Sequence, residues 1–122
     1  MVTVSIADDV ATFELQGLDR FWALRRRVRV PVAHILDVRK ASPIDLSWRD
    51  LRLLGTYLKG RLVAGLFRKR GRFVFYAVRS VERSIAIELT HQFYDDLVLE
   101  VEDPDRAIHD LEEARRQTLK RK

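Results

Sequence analysis

Four of the chain's five glycines fall in one short stretch, "GTYLKGRLVAGLFRKRG", which also carries five lysines and arginines. Glycines beside basic residues are typical of phosphate-binding loops, because backbone N–H groups can approach the anion closely. Gly55 and Gly60 have the glycine spacing of a nucleotide-binding P-loop. That motif continues with Lys and then Ser or Thr, however, whereas Arg61 and Leu62 follow here. The stretch therefore does not predict a nucleotide site.

The glycines instead predict changes of strand direction. We expect Gly55 and Gly60 to shape a turn and Gly65 to mark a bulge where the sheet bends. Gly71 stands between "LFRKR" and "RFVFYAV", where a tight hairpin needs a positive φ.

Two clusters of cations are the candidate binding residues. If both clusters lie on one face of the domain, they would form a groove of eight positive charges that could bind the phosphates of lipid or nucleic acid. If they lie on opposite faces, they would only keep the domain in solution. Aromatic residues nearby could stack on bases or fill the core, and core packing is favoured because Phe73 and Phe75 share a strand face. The first cluster is Arg25, Arg26, Arg27 and Arg29, and the second is Arg68, Lys69, Arg70 and Arg72. The aromatic residues near the second cluster are Phe73, Phe75 and Tyr76.

Other residue types give no catalytic or metal-binding pattern. The three histidines are scattered and lack the spacing of metal ligands, so we expect no metal and no cofactor. Asp95 and Asp96 are adjacent, so in a strand they would point to opposite faces, and a turn explains them better than paired catalytic carboxylates. No serine lies in a glycine-flanked nucleophile elbow. The sequence therefore predicts a protein that is not an enzyme.

Charge is segregated along the 122 residues, whose net charge is +5. Residues 1–19 carry 4 acids and no base, residues 20–83 carry 17 bases and 4 acids, and residues 84–122 carry 6 bases and 10 acids. Such asymmetry can steer an anionic partner, but solvated strand faces would also produce it. The absence of cysteine, of a signal sequence and of a long apolar run predicts a cytoplasmic protein, with attachment to the inner face of the membrane as an alternative.

Hydrophobic periodicity predicts a mainly β fold. Alternation favours a hairpin over residues 2–16, strands at 26–30 and 34–40, and three further strands, "LVAGLF", "RFVFYAV" and "SIAIEL", as an antiparallel meander. A last strand is expected at 97–101. Residues 18–25 weakly favour a helical turn or two, and 41–56 a loop with a short extended piece.

The C-terminal residues change to a helical period. Asp103 is a good N-cap, Pro104 suits the first helical position, and one face carries Ala107, Ile108, Leu111, Ala114 and Thr118. We expect an amphipathic helix of about four turns on the sheet. Because helical crossovers have no room, the sheet should be antiparallel throughout. The fold predicted is a partly open barrel of seven or eight strands capped by this helix, with one domain at 1–119 and a basic tail at 120–122.

This order of elements resembles the pleckstrin-homology superfold, in particular its small bacterial members. The resemblance rests on "VPVAHILDV", "GTYLKGRLVAGLFRKRGRFVFYAV" and "SIAIELTHQFYDDLVLEVEDP", and departs at Lys59, where similar sequences have proline. It implies a PH-like binding domain. The family's phosphoinositide site uses cations around the loop between the first two strands. Here that loop contains Asp8 and Asp9, which would repel a phosphorylated headgroup, so no lipid-binding residues are transferred.

The sequence therefore predicts a non-catalytic binding module that recognises a protein or peptide partner through exposed strand edges and the basic hairpin. Electrostatic attachment to an anionic membrane surface is the alternative, and nucleic-acid binding ranks third. Exposed edge strands would also allow a homo-oligomer.

Overall fold

The computed structural model describes residues 2–15, 27–41, 51–58, 62–69, 71–79 and 81–120. These residues form two β-sheets, two short 3₁₀ turns and one C-terminal helix. The strands are β1 (Val2–Ala7), β2 (Val10–Leu15), β3 (Arg27–Pro31), β4 (Ile35–Lys40), β5 (Leu51–Leu58), β6 (Leu62–Lys69), β7 (Arg72–Val78), β8 (Ser84–Leu89) and β9 (Asp96–Glu100), and the helix is α1 (Pro104–Lys120).

The first sheet is antiparallel and has the order β1-β2-β3. Its hairpin turns at Asp8 and Asp9, which have φ angles of 53° and 61°. Two successive residues at positive φ in a two-residue loop are the geometry of a type I′ turn, whose twist matches that of the flanking strands. The predicted N-terminal hairpin is confirmed. β3 confirms the strand expected at 26–30 from residue 27 onward, whereas residue 26 lies outside the described residues.

The second sheet has the order β4-β8-β9-β7-β6-β5 and is mixed. β9 lies between β8 and β7, antiparallel to the first and parallel to the second. The expectation of an antiparallel sheet throughout is therefore wrong, as is the simple meander. The reasoning failed because the connection between two parallel strands need not be a helix: here it passes through β8, which belongs to the same sheet.

β5 corrects a further prediction. Residues 41–56 were expected to form a loop with a short extended piece, but Leu51–Leu58 is an eight-residue strand that pairs with β6. Gly55 lies inside this strand opposite Gly65 and does not form the predicted turn. Gly65 has a φ of 119°, yet the register runs evenly past it, and the irregularity lies between Arg52 and Leu54. Gly71, at φ 80°, confirms the predicted hairpin glycine, whereas Gly60 lies outside the described residues.

One hydrophobic core joins the two sheets and the helix. Alternate residues of the first sheet, such as Phe13 and Val30, meet Phe75 and Leu97 of the second, and all are almost fully buried. The described strands form no closed barrel. The two sheets are linked by a parallel bridge between Val2 of β1 and Val101, just beyond β9. The mainly β class with one C-terminal helix is confirmed.

α1 begins and packs as its sequence predicts. The Asp103 carboxylate accepts the backbone N–H of Arg106 at 3.2 Å, which satisfies one of the free donors of the first turn. Leu111 is fully buried, and Arg115 donates to the backbone carbonyls of Ile35 and Leu36 at 3.1 and 2.7 Å. These bonds fix the C-terminal half of the helix against the start of β4. The helix continues to Lys120, the first residue of the expected tail.

Candidate functional site

The first basic cluster is carried by β3. Arg27 and Arg29 are exposed and alternate with the buried Val28 and Val30, so they point away from the core on the first sheet. Arg27 lies 3.7 Å from Glu14 of the neighbouring strand β2. The other two members, Arg25 and Arg26, lie outside the described residues.

The second cluster stands at the β6–β7 hairpin of the other sheet. Lys69 and Arg72 are paired across the two strands, and Arg72 makes two hydrogen bonds to Asp96 of β9, at 2.9 and 3.2 Å. The hydrogen bond that Arg72 donates to the Asp96 carboxylate raises the pKa of the guanidinium above its ordinary value, because it favours the charged form. Arg68 lies over the ring of Phe73, 5.5 Å from its centroid.

The described members of the two clusters do not form one groove. Arg27 and Arg29 project outward from the first sheet. Lys69 and Arg72 belong to the outer face of the second sheet, beside Val74 and outside the shared core. Arg70, the remaining member of the hairpin cluster, lies outside the described residues.

The aromatic residues beside the hairpin are mostly structural. Phe75 is 1% exposed in the main core, and Tyr76 packs edge-on against Phe67 in a small second cluster on the outer face of the second sheet. Phe73 is half-buried, and its ring stacks on Phe93 with centroids 4.9 Å apart. Phe93 is 64% exposed. The exposed ring at this hairpin is therefore one that the sequence analysis did not single out.

Asp95 and Asp96 hold the two parallel strands together. The Asp95 carboxylate accepts the backbone N–H of Phe73 at 2.8 Å, and the Asp95 N–H donates to the Phe73 carbonyl at 2.8 Å. Asp96 binds Arg72. Each carboxylate therefore has a hydrogen-bond partner on β7.

Two of the three histidines, His34 and His91, lie close together. His34 and His91 have ring centroids 5.6 Å apart, and His34 is also 2.7 Å from the side-chain nitrogen of Gln92. His109 is exposed on α1. In the described part of the chain, no three histidine, cysteine or acidic side chains come together in a way that could hold a metal ion.

A shallow groove of about 290 Å³ crosses the outer face of the second sheet. Its floor is apolar, and its walls carry charges of both signs. The Arg72–Asp96 pair neutralises two of these charges within the groove itself. The charged lining residues are Arg39, Lys69, Arg72, Glu88 and Asp96.

A larger cleft of about 590 Å³ opens between β1 and the first turns of α1. Its apolar lining comes from Val2, Val4, Val101 and Ala107. Its polar lining comes from Thr3, Glu102, Asp103, Arg106 and Asp110. The cleft therefore joins an apolar floor to a mainly acidic rim, the combination that an amphipathic segment would fit.

One wall of this cleft is a strand edge. Within the described residues, β1 pairs with β2 on one side, and its other side carries the single bridge from Val2 to Val101. Ala7 and Val10 flank the type I′ turn, so they form a pair that exchanges both N–H···O=C hydrogen bonds. Along an antiparallel ladder, such hydrogen-bonded pairs alternate with pairs whose N–H and C=O groups point away from the partner strand. Val4 and Ile6 belong to pairs of the second kind. Val4 and Ile6 therefore direct their backbone N–H and C=O groups outward.

The sequence predicted the hairpin that carries this edge but not the cleft. Nothing in "VTVSIA" shows which side of the strand stays unpaired, because that depends on where β9 and α1 are placed. The acidic lining was visible only as the excess of acids in residues 84–122.

No helix in the described part of the chain is long and apolar enough to cross a membrane. Comparisons of the chain with models of protein families, with curated proteins and with solved structures find no match.

Proposed function

We propose that this chain is a non-catalytic binding module that takes an extended segment of a partner protein as an added strand on the outer edge of β1. The observation that carries the proposal is the conjunction of a strand edge at Val4 and Ile6, which no described strand pairs with, and an open cleft of about 590 Å³ against α1. Either feature alone is common on protein surfaces.

Strand addition uses both features. The outward N–H and C=O groups of Val4 and Ile6 offer up to four main-chain hydrogen bonds, which supply affinity without regard to sequence. Alternate side chains of the added strand then enter the cleft, where Val4, Val101 and Ala107 provide apolar contact. Specificity comes from that cleft.

A relation to the pleckstrin-homology superfold is part of this proposal. It is supported by the mainly β composition and by a C-terminal helix that packs on the sheets. The parallel pairing of β7 with β9 departs from the antiparallel barrel that the strand pattern of the sequence predicted.

Val4→Pro tests the proposal. Proline removes the outward N–H of residue 4 but no β1–β2 hydrogen bond, and edge strands tolerate it where the N–H faces solvent. Val4→Ala is the matched control, because it shortens the same side chain and keeps the N–H. Peptides selected by the wild-type protein from a display library of unstructured heptamers should bind Val4→Pro at least tenfold more weakly than Val4→Ala, in which only part of an apolar contact is lost. Equal binding to both variants contradicts strand addition, provided that circular dichroism shows both to be folded.

A second candidate function, attachment to an anionic membrane surface, is favoured by one observation. The three large apolar side chains that are exposed among the described residues all border the 3₁₀ turn Val32–His34: Leu36, Phe93 and Leu119. Leu36 offers its carbonyl to Arg115, Leu119 lines a crevice with Val32, and Phe93 follows Gln92, which contacts His34. Phe93 also stacks beside the basic hairpin, an arrangement suited to a headgroup layer.

This candidate ranks second because the acidic Asp8–Asp9 turn reaches the same end of the molecule, where the Asp9 carbonyl accepts the N–H of Val32. Sedimentation with mixed phosphatidylcholine–phosphatidylglycerol vesicles tests it. Binding that disappears at high salt, and is lost in Phe93→Ser and in Lys69→Gln, would support attachment through this end. Equal binding to pure phosphatidylcholine, or none to either vesicle, contradicts it.

A further inference from the structure

Carboxylates stand at both ends of the outer edge of β1. At the start of the strand, Glu102, Asp103 and Asp110 line the cleft. At its end, the turn presents the exposed Asp8 and Asp9. A segment added to this edge would therefore run between two groups of negative charge.

The carboxylates are only partly neutralised by their neighbours. Among the described residues that line the cleft, Arg106 is the one cation, and its Nε lies 3.9 Å from the Asp110 carboxylate, with both side chains half or more exposed. Asp103 already accepts the N–H that it caps. Glu102 and Asp110 are therefore the groups best placed to meet a cation from a partner.

This acidity is local and runs against the charge of the whole chain. The protein carries a net charge of +5, yet residues 1–19, which include all of β1 and β2, contain 4 acids and no base. The cations of β3 and the β6–β7 hairpin face outward elsewhere. Since opposite charges attract, a basic segment that approaches the β1 edge is drawn to the carboxylates at its two ends.

The cleft also fits the aliphatic part of a basic side chain. Lysine and arginine can lay their methylene stems on apolar surface while the charged head reaches outward. Here the stem would contact Val4 and Ala107, and the head would reach Glu102 or Asp110 at the rim. An acidic side chain in the same cleft would lose water contacts beside the carboxylates of the rim, which would repel it.

From these observations, and resting on the proposed function, we infer that the segment bound at the β1 edge is a basic extended peptide with lysine or arginine at alternate positions. Its length follows from the strand. β1 has six residues, or about 20 Å, and the Val2–Val101 bridge occupies its first position. About five residues of partner can pair with what remains.

Fluorescence anisotropy with three labelled hexapeptides tests the inference. The probes alternate valine with lysine, with threonine or with glutamate, so that all can extend and only the charge differs. We expect the lysine peptide to bind most tightly and its binding to weaken with added salt. Its affinity should be at least tenfold lower for Val4→Pro than for Val4→Ala, which loses part of an apolar contact but keeps the N–H.

A charge-matched pair of variants locates the contact. Glu102→Gln with Asp110→Asn should weaken the lysine peptide by roughly twofold to thirtyfold, the range of two solvent-exposed ion pairs. The control, Asp37→Asn with Glu113→Gln, changes the net charge by the same amount. These two carboxylates are exposed or half-exposed, pair with Arg39 and Arg116, and do not line the cleft. The control should therefore change the affinity for the lysine peptide little.

The outcomes separate the two proposals. If all three peptides bind equally and Val4→Pro abolishes binding, strand addition stands and the inference of a basic partner is overturned. Equal weakening by both charge variants also overturns it, because the attraction is then general. If the lysine peptide binds Val4→Pro as well as Val4→Ala, or if no peptide binds the wild type, the basic-strand inference fails. In that case the library selection decides whether strand addition itself survives.

Discussion

Arg72 and Asp96 form a bidentate ion pair across the first residues of two parallel strands, with Nε and Nη2 of the arginine 2.9 and 3.2 Å from the two carboxylate oxygens. Arg72 begins β7 and Asp96 begins β9. A cation that the sequence placed in a binding patch therefore has an internal partner, and the pair helps to set the register of the two strands.

Replacing Arg72 by alanine should lower the free energy of unfolding by about 0.5–1 kcal/mol, the range of a partly exposed pair with good geometry. Arg72→Lys should recover little of it, because an ammonium group cannot make the planar two-bond contact. Folding raises the pKa of Arg72 above that of the unfolded chain. The stabilisation that its charge contributes is therefore fully present below the ordinary arginine pKa, and it disappears only as the pH rises through the higher pKa of the folded state. Urea unfolding should give the same loss at neutral and mildly alkaline pH; a loss that vanished at mildly alkaline pH would contradict this.

Asp95→Ala should be the more damaging change at the same junction. It leaves the partly buried backbone N–H of Phe73 without the acceptor that now lies at 2.8 Å, a change that costs about 1–3 kcal/mol. Asp95→Asn is the control, since its amide oxygen can still accept this bond. Urea unfolding should rank wild type, Asp95→Asn and Asp95→Ala in order of decreasing stability. Equal stability of the two variants would show that charge, not the hydrogen bond, matters at this position.

The sequence predicted local structure better than strand order. The type I′ hairpin, the positive φ of Gly71 and the N-cap of α1 all depend on a few neighbouring residues, and the structure confirms each. The place of β9 depends on a long-range choice, since β9 could equally have followed β8 at the sheet edge. Its insertion beside β7 is fixed by Asp95 and Asp96, whose partners lie more than 20 residues away in sequence.

The candidate site was harder to predict for the same reason. Charge in a sequence shows how many cations lie near one another along the chain, not which sheet face they occupy. Arg27 and Arg72 both follow the alternation typical of strands, yet they belong to different sheets. The cleft at β1 brings Val4 together with Asp110, more than 100 residues further along the chain.

Thr118→Val should stabilise the protein. Thr118 is 8% exposed, and its hydroxyl oxygen is buried without a hydrogen-bond partner within the described residues. Valine has nearly the same shape and helix propensity, so the change removes an unsatisfied polar atom without leaving a cavity. We expect a gain of about 0.5–1.5 kcal/mol in urea unfolding. Thr118→Ala is the control and should gain less or lose stability, because it also removes a buried methyl group.

The turn that ends β1 offers a final prediction. Asp8 and Asp9 hold φ angles of 53° and 61°, a region that Asn and Gly occupy more easily than Asp. Asp8→Asn with Asp9→Gly should therefore raise the free energy of unfolding by about 1 kcal/mol, and Asp8→Ala with Asp9→Ala should lower it. Both double variants remove the same two charges, so thermal or urea unfolding separates backbone strain from electrostatic repulsion. If both variants are stabilised equally, repulsion between the carboxylates, and not the left-handed backbone, limits the stability of this hairpin.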